Sequence, residues 1–228
     1  MTSDDPRIDA GMRRQLQLRR ERTGAGARPI GWKAGLNAPE PKRKLGLTRP
    51  LVGFLTDATL VPSGGEVSIG GWTKPTLEPE IAMRLGADVP GGASRDAVAA
   101  AVDALAPAIE LVDLDTPPDD VEAVLAGNIY HGAVVLGAWE TGRAGASLDG
   151  IALDVDGRVE AADPTAVLGD LVEVVRGVAD TLADAGETLR AGEFVICGSV
   201  VPAFQVEPGD RVACRFSALG EVAVAVTG

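Results

Sequence analysis

Two glutamates flank a proline in the segment KPTLEPEIAMR, residues 74–84. Pro75 and Pro79 disfavour a helix here, because each proline pushes the residue before it into extended geometry. In an extended chain every second residue lies on the same face, so Glu78 and Glu80 are predicted to project from one face of a strand. Two carboxylates this close repel each other unless a proton or a cation lies between them.

A third acidic residue lies in a second apolar segment, AIELVDL at 108–114. Glu110 stands there between Ile109 and Leu111, an unfavourable place for a charge without a partner, and Asp113 is a second possibility in the same strand. A set of oxygen ligands suits Mg²⁺, Mn²⁺ or Ca²⁺ better than zinc. The alternative is an ordinary solvated strand edge, and the residue types alone leave both interpretations open.

These segments belong to a chain that is predicted to mix short strands with a few helices. The expected helices cover about 8–22, PEPKRKL before Gly46, 95–105 with Pro107 as its stop, and 164–185. Strands are expected in PIGWKAGL, AIELVDL, HGAVVLGAW and FVICGS, with a terminal hairpin in RVACRFSALGEVAVAV. The pattern favours one α+β domain over residues 1–228, with a short N-terminal helix at about 8–22, rather than a regular βαβ array.

The composition excludes several classes of protein. The formal charge of −12 argues against a nucleic-acid partner, because no basic surplus is available to displace counterions from phosphates. No apolar run approaches the roughly 18 residues of a membrane span, and the charged N-terminus lacks the apolar region of a signal peptide. The two cysteines, Cys197 and Cys214, have no metal-binding spacing. We therefore expect a cytoplasmic protein with two reduced, buried thiols.

Five segments occur in an order and spacing that resemble one known group: GWKAGL at 31–36, LEPEIAMRL at 77–85, PAIELVD at 107–113, LRAGEFVICGS at 189–199 and PGDRV at 208–212. Over residues 8–226 the chain resembles the fumarylacetoacetate hydrolase superfamily, in its branch of 2-keto-4-pentenoate hydratases and 4-oxalocrotonate decarboxylases. The resemblance implies an α+β fold, a mixed β-roll or distorted barrel with flanking helices, assembled into homo-oligomers.

The same resemblance assigns roles to individual residues. It implies that Glu78, Glu80 and Glu110 bind Mg²⁺ or Mn²⁺, and that Lys33 transfers protons or holds the substrate. It also implies a set of substrate-binding positions: Gly35, Leu36, Asn128, Gly198 and Ser199. The chain departs from the branch at Leu51-Val52-Gly53, Gly127-Asn128 and Cys197-Gly198, where Asp-aromatic-Gly, Asp-Asn and Thr-Gly are common. These departures spare the metal ligands and leave the substrate and the reaction open.

The chemistry of such a site can be stated in general terms. A small 2-oxo acid can chelate a divalent ion, which then stabilises the enolate formed in the transition state. Hydration of a 2-hydroxy-2,4-dienoate is the first expectation, decarboxylation of a 4-oxalocrotonate-type acid the second, and acylpyruvate hydrolysis with His131 as a base the third. A non-catalytic partner subunit is the remaining alternative, since hydratases and decarboxylases of this group can associate.

Overall fold

The computed structural model describes residues 5–141, 153–155, 158–160, 167–217 and 219–228. Five α-helices occur in these ranges: α1 (Pro6–Gly24), α2 (Pro39–Leu45), α3 (Arg95–Ala101), α4 (Val121–Ala126) and α5 (Leu171–Asp184). The predicted helices at 8–22 and in PEPKRKL are confirmed, and Gly46 ends α2 in a left-handed conformation as expected. None of the helices in the described ranges is long and apolar enough to cross a membrane.

The described strands form two mixed sheets. The strands are β1 (Pro29–Gly35), β2 (Leu51–Thr56), β3 (Leu60–Pro62), β4 (Glu66–Ser68), β5 (Pro75–Leu85), β6 (Val102–Asp113), β7 (His131–Leu136), β8 (Leu153–Val155), β9 (Arg158–Glu160), β10 (Phe194–Ile196), β11 (Phe204–Gln205), β12 (Arg211–Phe216) and β13 (Gly220–Thr227). The larger sheet has the order β2-β1-β10-β5-β6-β7-β3, with β11 also paired to β5, and the smaller has the order β4-β13-β12-β8-β9. The terminal hairpin β12–β13 is confirmed.

The long antiparallel pair β5–β6 forms the middle of the larger sheet. Glu78 lies directly opposite Glu110 in this pair, and Glu80 lies opposite Ala108. The alternate β5 residues Leu77, Ile81, Met83 and Leu85 are buried in the main hydrophobic core, as the alternation predicted. The glutamates consequently project from the opposite face.

The main core lies between the two sheets and the helices α3 and α5. The apolar stripe of α5 packs on β1, β2 and α3, while α1 packs on α4. Side chains from β12 and β13, such as Phe216 and Val224, complete the core beneath β6. This packing supports the larger sheet from the side that carries no glutamates.

Two predicted helix boundaries were wrong. The helix that begins at Arg95 ends at Ala101, and β6 starts at Val102, so Pro107 lies inside a strand instead of stopping a helix. The Pro107 carbonyl accepts from the N–H of Gly137, one residue beyond the end of β7. The backbone of Pro107 therefore faces the end of β7, and its missing N–H removes no hydrogen bond from the β6–β7 ladder. In the helix predicted at 164–185, Val167 and Leu168 are helical, Gly169 with φ of 74° interrupts the helix, and α5 begins at Leu171, capped by Asp170. Residues 164–166 lie outside the described ranges.

Candidate active site and metal centre

Three carboxylates meet on the glutamate face of the β5–β6 pair. One oxygen each from Glu78, Glu80 and Glu110 lies within 4.8 Å of the other two. Glu80 and Glu110 are fully buried, whereas Glu78 is partly exposed. Oxygens bound to one divalent cation at 2.0–2.6 Å lie up to about 5 Å apart, and this separation matches the cluster.

Lys33 reaches the cluster from β1. Its Nζ lies 2.5 Å from Glu110 Oε1 and donates a second hydrogen bond to the carbonyl of Ile129 at 3.0 Å. The stem of the lysine passes over Gly53 of β2, where an added Cβ would lie 2.7 Å from Lys33 Cγ. Gly53 is therefore the residue that leaves room for the lysine to cross β2.

The two oxygens of Glu110 have different surroundings. Oε1 accepts from Lys33 and also from His131 Nδ1 at 2.7 Å. Oε2 is buried and finds no hydrogen-bond partner among the residues that the structure describes. A buried carboxylate oxygen without a partner is costly, so Oε2 is the atom of this residue that a cation would satisfy.

The pKa values of the three carboxyl groups shift in different directions because their neighbours differ. Burial raises the pKa of Glu78 to about 7, and the charge of Glu110 adds to this rise. Burial, with the charges of Glu110 and Glu78, also raises the pKa of Glu80 well above its ordinary value. Burial opposes the charge on Glu110 as well, but Lys33 and His131 outweigh it and lower the pKa of that carboxyl. In the absence of a cation, burial and mutual repulsion therefore favour the protonated forms of Glu78 and Glu80.

A left-handed turn holds the lysine's second partner. Asn128, Ile129 and Tyr130 have φ values of 63°, 53° and 63°, and a β-branched residue such as Ile129 rarely adopts this conformation. The side chain of Asn128 accepts from Phe54 N at 2.8 Å and donates to Phe54 O at 2.9 Å, which fixes the turn to β2. The turn directs the Ile129 carbonyl at Lys33.

The loop after β10 covers Glu80. Gly198 donates its backbone N–H to Glu80 Oε2 at 2.7 Å, with φ of 101°. Asn37 packs against Gly198 and donates to the carbonyl of Cys197 at 2.8 Å. Ser199 donates its hydroxyl to Val201 O at 2.7 Å. The loop therefore supports the carboxylate cluster through backbone groups.

The other predicted site residues lie around this cluster. Gly35 packs against Ile129, and Leu36, with φ of 50°, contributes to the smaller core of α1 and α4. Asp113, the alternative third ligand, instead accepts from the backbone N–H groups of Thr73 and Lys74, so it lies apart from the cluster. The contacts of Asn128 tie it to the scaffold, and its binding of substrate stays a prediction.

Sequence reasoning missed three parts of the site: the His131 contact to Glu110, the Thr59 contact to His131, and the Ile129 carbonyl. Thr59 Oγ1 lies 2.9 Å from His131 Nε2. Burial lowers the pKa of His131, although Glu110 opposes this shift. The signal available in the sequence was that His131, the only histidine of the chain, is the first residue of a predicted strand.

A curled mixed sheet with flanking helices and a carboxylate cluster on one face define a recognised class of protein. Residues 31–227 match the model of the fumarylacetoacetate (FAA) hydrolase C-terminal family, and the chain belongs to this family. The fold predicted from the motifs is confirmed by this match.

Individual relatives are enzymes of two kinds. The chain is 32% identical over 221 residues to a 4-oxalocrotonate decarboxylase of a Pseudomonas species, covering 94% of this chain and 85% of the relative. It is 31% identical over 220 residues to a 2-hydroxyhexa-2,4-dienoate hydratase of Comamonas testosteroni, covering 93% and 83%. Among solved structures, the 4-oxalocrotonate decarboxylase from Pseudomonas putida G7 complexed with magnesium and adipate superposes with a TM-score of 0.87 at 28% identity, covering 98% of this chain and 87% of that one.

Proposed function

We propose that this protein is a metal-dependent lyase that hydrates a 2-hydroxy-2,4-dienoate of the 2-keto-4-pentenoate type. The observation that carries the proposal is the meeting of Glu78, Glu80 and Glu110 beside the ammonium group of Lys33. The donor set consists of oxygens alone, and Oε2 of Glu110 has no hydrogen-bond partner in the described part of the chain; both features fit Mg²⁺ or Mn²⁺. When bound there, the cation would supply Lewis-acid stabilisation of the enolate that forms from the substrate.

Each residue of the candidate site has a role in this reaction. Glu78, Glu80 and Glu110 hold the cation, and the partly exposed Glu78 marks the side on which the 2-oxo acid group is bound. Lys33 moves a proton between its Nζ and the substrate carbon, while Glu110 and the Ile129 carbonyl orient that Nζ. Gly35, Leu36, Gly198 and Ser199 form the substrate-facing backbone around the cluster, and Asn128 fixes the turn that carries Ile129.

The charge of the site supports a substrate with a single carboxylate. Lys33 is the only buried lysine or arginine among the described residues, and it is already engaged by Glu110. A second carboxylate on the substrate would therefore require a cation that is at least partly exposed. The shortage of buried cations favours hydration of a dienoate over decarboxylation of a 2-oxo-dioate.

Decarboxylation of a 4-oxalocrotonate-type acid is the second candidate. It is favoured by the similarity to 4-oxalocrotonate decarboxylases in sequence and in structure. Loss of carbon dioxide leaves electrons on the same enolate, so the metal-binding residues serve both reactions equally. Acylpyruvate hydrolysis is less favoured, because His131 is buried against Glu110 and Thr59 and cannot reach a water molecule without leaving them.

The two reactions are separated by parallel assays of one preparation. The ultraviolet absorbance of 2-hydroxypenta-2,4-dienoate and of 4-oxalocrotonate is followed with and without Mg²⁺, in the wild type, Glu80→Gln, Lys33→Met and the exposed control Glu66→Gln. We expect faster loss of the dienoate, a decrease of at least 100-fold in Glu80→Gln and Lys33→Met, and unchanged rates in Glu66→Gln. Faster turnover of 4-oxalocrotonate would select the decarboxylase. Turnover of neither substrate, with Mg²⁺ bound, would select the non-catalytic partner subunit.

We further propose that the protein is a single domain over residues 1–228 that assembles into a cytoplasmic homo-oligomer and associates with a decarboxylase or hydratase of its own family. The buried thiol of Cys197, which is in no disulfide, supports a reducing compartment, and the charge of −12 supports the absence of a nucleic-acid partner. Light scattering coupled to size-exclusion chromatography measures the assembly, and a monomeric mass at micromolar concentration would contradict it.

A further inference from the structure

His131 is the one imidazole of the chain, and it is buried against the candidate metal centre. Its Nδ1 lies 2.7 Å from Glu110 Oε1, and its Nε2 lies 2.9 Å from Thr59 Oγ1. Thr59 belongs to a single turn of 3₁₀-helix, Asp57–Thr59, that follows β2. The three side chains form a continuous line from that turn to the carboxylate cluster.

The position of Glu110 Oε2 depends on how Oε1 is held. A carboxylate rotates about its last side-chain bond, so a donor on one oxygen determines where the other oxygen points. Lys33 and His131 both donate to Oε1, and Oε2 is the Glu110 oxygen left without a hydrogen-bond partner among the described residues. Lys33 is the group that we assign to proton transfer, and its bond to Glu110 weakens when it turns to the substrate.

We propose that His131 is a positioning residue for the cation: its Nδ1–H holds Glu110 Oε1 while Lys33 is engaged with substrate, so that Oε2 remains directed at the cation. This inference rests on the proposed function, since it assumes that the carboxylate cluster binds a divalent metal. Hydrogen bonds from a neighbouring residue to a metal-binding side chain orient that side chain in many proteins. Their loss lowers metal affinity by about 10–100-fold.

The same geometry determines which nitrogen carries the hydrogen. The Glu110 carboxylate can only accept, so the hydrogen between the two side chains belongs to Nδ1. In the neutral ring Nε2 is then an acceptor, and the hydroxyl of Thr59 is its donor. Thr59 Oγ1 also donates to the carbonyl of Thr56 at 3.1 Å, so this carbonyl and Nε2 compete for the single hydroxyl hydrogen.

Matched variants separate this role from ordinary core packing. His131→Ala removes the donor, whereas His131→Asn places an amide N–H near the position of Nδ1. Thr59→Val removes the hydroxyl partner of Nε2. Thr56→Val is its control, because the buried hydroxyl of Thr56 has no hydrogen-bond partner among the described residues and its removal costs little.

The first measurement is the affinity for Mn²⁺, determined by titration calorimetry on each variant after thermal melting has confirmed that it is folded. We expect His131→Ala to weaken Mn²⁺ binding by about 10–100-fold and His131→Asn to recover most of the loss. Thr59→Val should weaken binding severalfold, and Thr56→Val should not change it. A folded His131→Ala protein that binds Mn²⁺ as tightly as the wild type would overturn the inference and leave the proposed function standing. Failure of the wild type to bind Mn²⁺ would instead refute the proposed function, and the inference with it.

The second measurement reads the histidine directly. Since the chain has one histidine, tag-free protein labelled with ¹⁵N-histidine gives a single pair of ring nitrogen signals that needs no assignment. We expect a protonated Nδ1, an unprotonated Nε2, and a shift of Nδ1 on addition of Mg²⁺. A ring with hydrogen on Nε2 alone, or signals unaffected by Mg²⁺ at saturation, would contradict the role.

Discussion

Replacing Glu78 by glutamine is expected to stabilise the metal-free protein at alkaline pH. Burial raises the pKa of Glu78 from 4.5 to about 7, so the folded state binds this proton more tightly than the unfolded state. The wild type therefore loses stability as pH rises from about 4.5, and the loss is complete above about 7. Because each pKa unit corresponds to about 1.4 kcal/mol, ionised Glu78 costs about 3 kcal/mol of folding free energy at pH 8.

Glutamine keeps the shape of the side chain and removes the charge. The expected gain of about 3 kcal/mol corresponds to a melting temperature higher by roughly 6–12 °C at pH 8, and by about a quarter of this at pH 5. The raised pKa of Glu80 depends partly on the charge of Glu78, so part of the measured gain comes from relief at Glu80. Addition of Mg²⁺ should reverse the order, since only the wild type retains all three carboxylates.

The assay is thermal melting of chelator-treated wild type and Glu78→Gln at pH 5 and pH 8, with and without excess Mg²⁺. Glu66→Gln is the matched control, because Glu66 is an exposed glutamate on a strand and its replacement should change little at either pH. A Glu78→Gln protein that is no more stable than the wild type at pH 8, or equally stabilised at pH 5 and pH 8, would refute the raised pKa of Glu78.

Two further substitutions test the scaffold of the site. Asn128→Ala leaves the backbone N–H and C=O of Phe54 without their partners and should lower the free energy of unfolding by about 2–4 kcal/mol in urea titrations; a loss below about 0.5 kcal/mol would contradict the role of this side chain. Gly198→Ala strains a left-handed residue and displaces the N–H that binds Glu80, so we expect Mg²⁺ affinity to fall about 10-fold, measured by calorimetry. Gly209→Ala is its control, with φ of 102° but open space around the position, and an equal effect in both variants would refute a specific contribution of Gly198.

The glutamate face of the β5–β6 pair could be predicted from sequence because local rules determine it. Pro75 and Pro79 exclude a helix, and strand alternation then places Glu78 and Glu80 together. The apolar neighbours of Glu110 identify it as a charge that requires a partner. The role of Lys33 came only from the resemblance to a family, since no local pattern connects residue 33 to the carboxylates.

Other parts depend on contacts between distant segments. The start of β6 at Val102 was missed because its alanine-rich beginning satisfies helical spacing equally well, and pairing with β5 decides between the two. The bond from His131 to Glu110 joins residues on different strands, and a pattern along one strand does not contain it. Nor does composition reveal three successive left-handed residues at Asn128–Tyr130, which the attachment to Phe54 maintains.

Because Glu78 and Glu110 lie directly opposite each other, insertions and deletions within β5 or β6 would disrupt the carboxylate cluster. A strand alternates faces with every residue, so inserting or deleting one codon inside 75–85 or 102–113 would transfer part of the ligand set to the hydrophobic side of the sheet. Such a change would abolish the carboxylate cluster and place charges in the core. Length variation during evolution is therefore expected to accumulate in the connections between strands, where the distance between the three glutamates is unaffected.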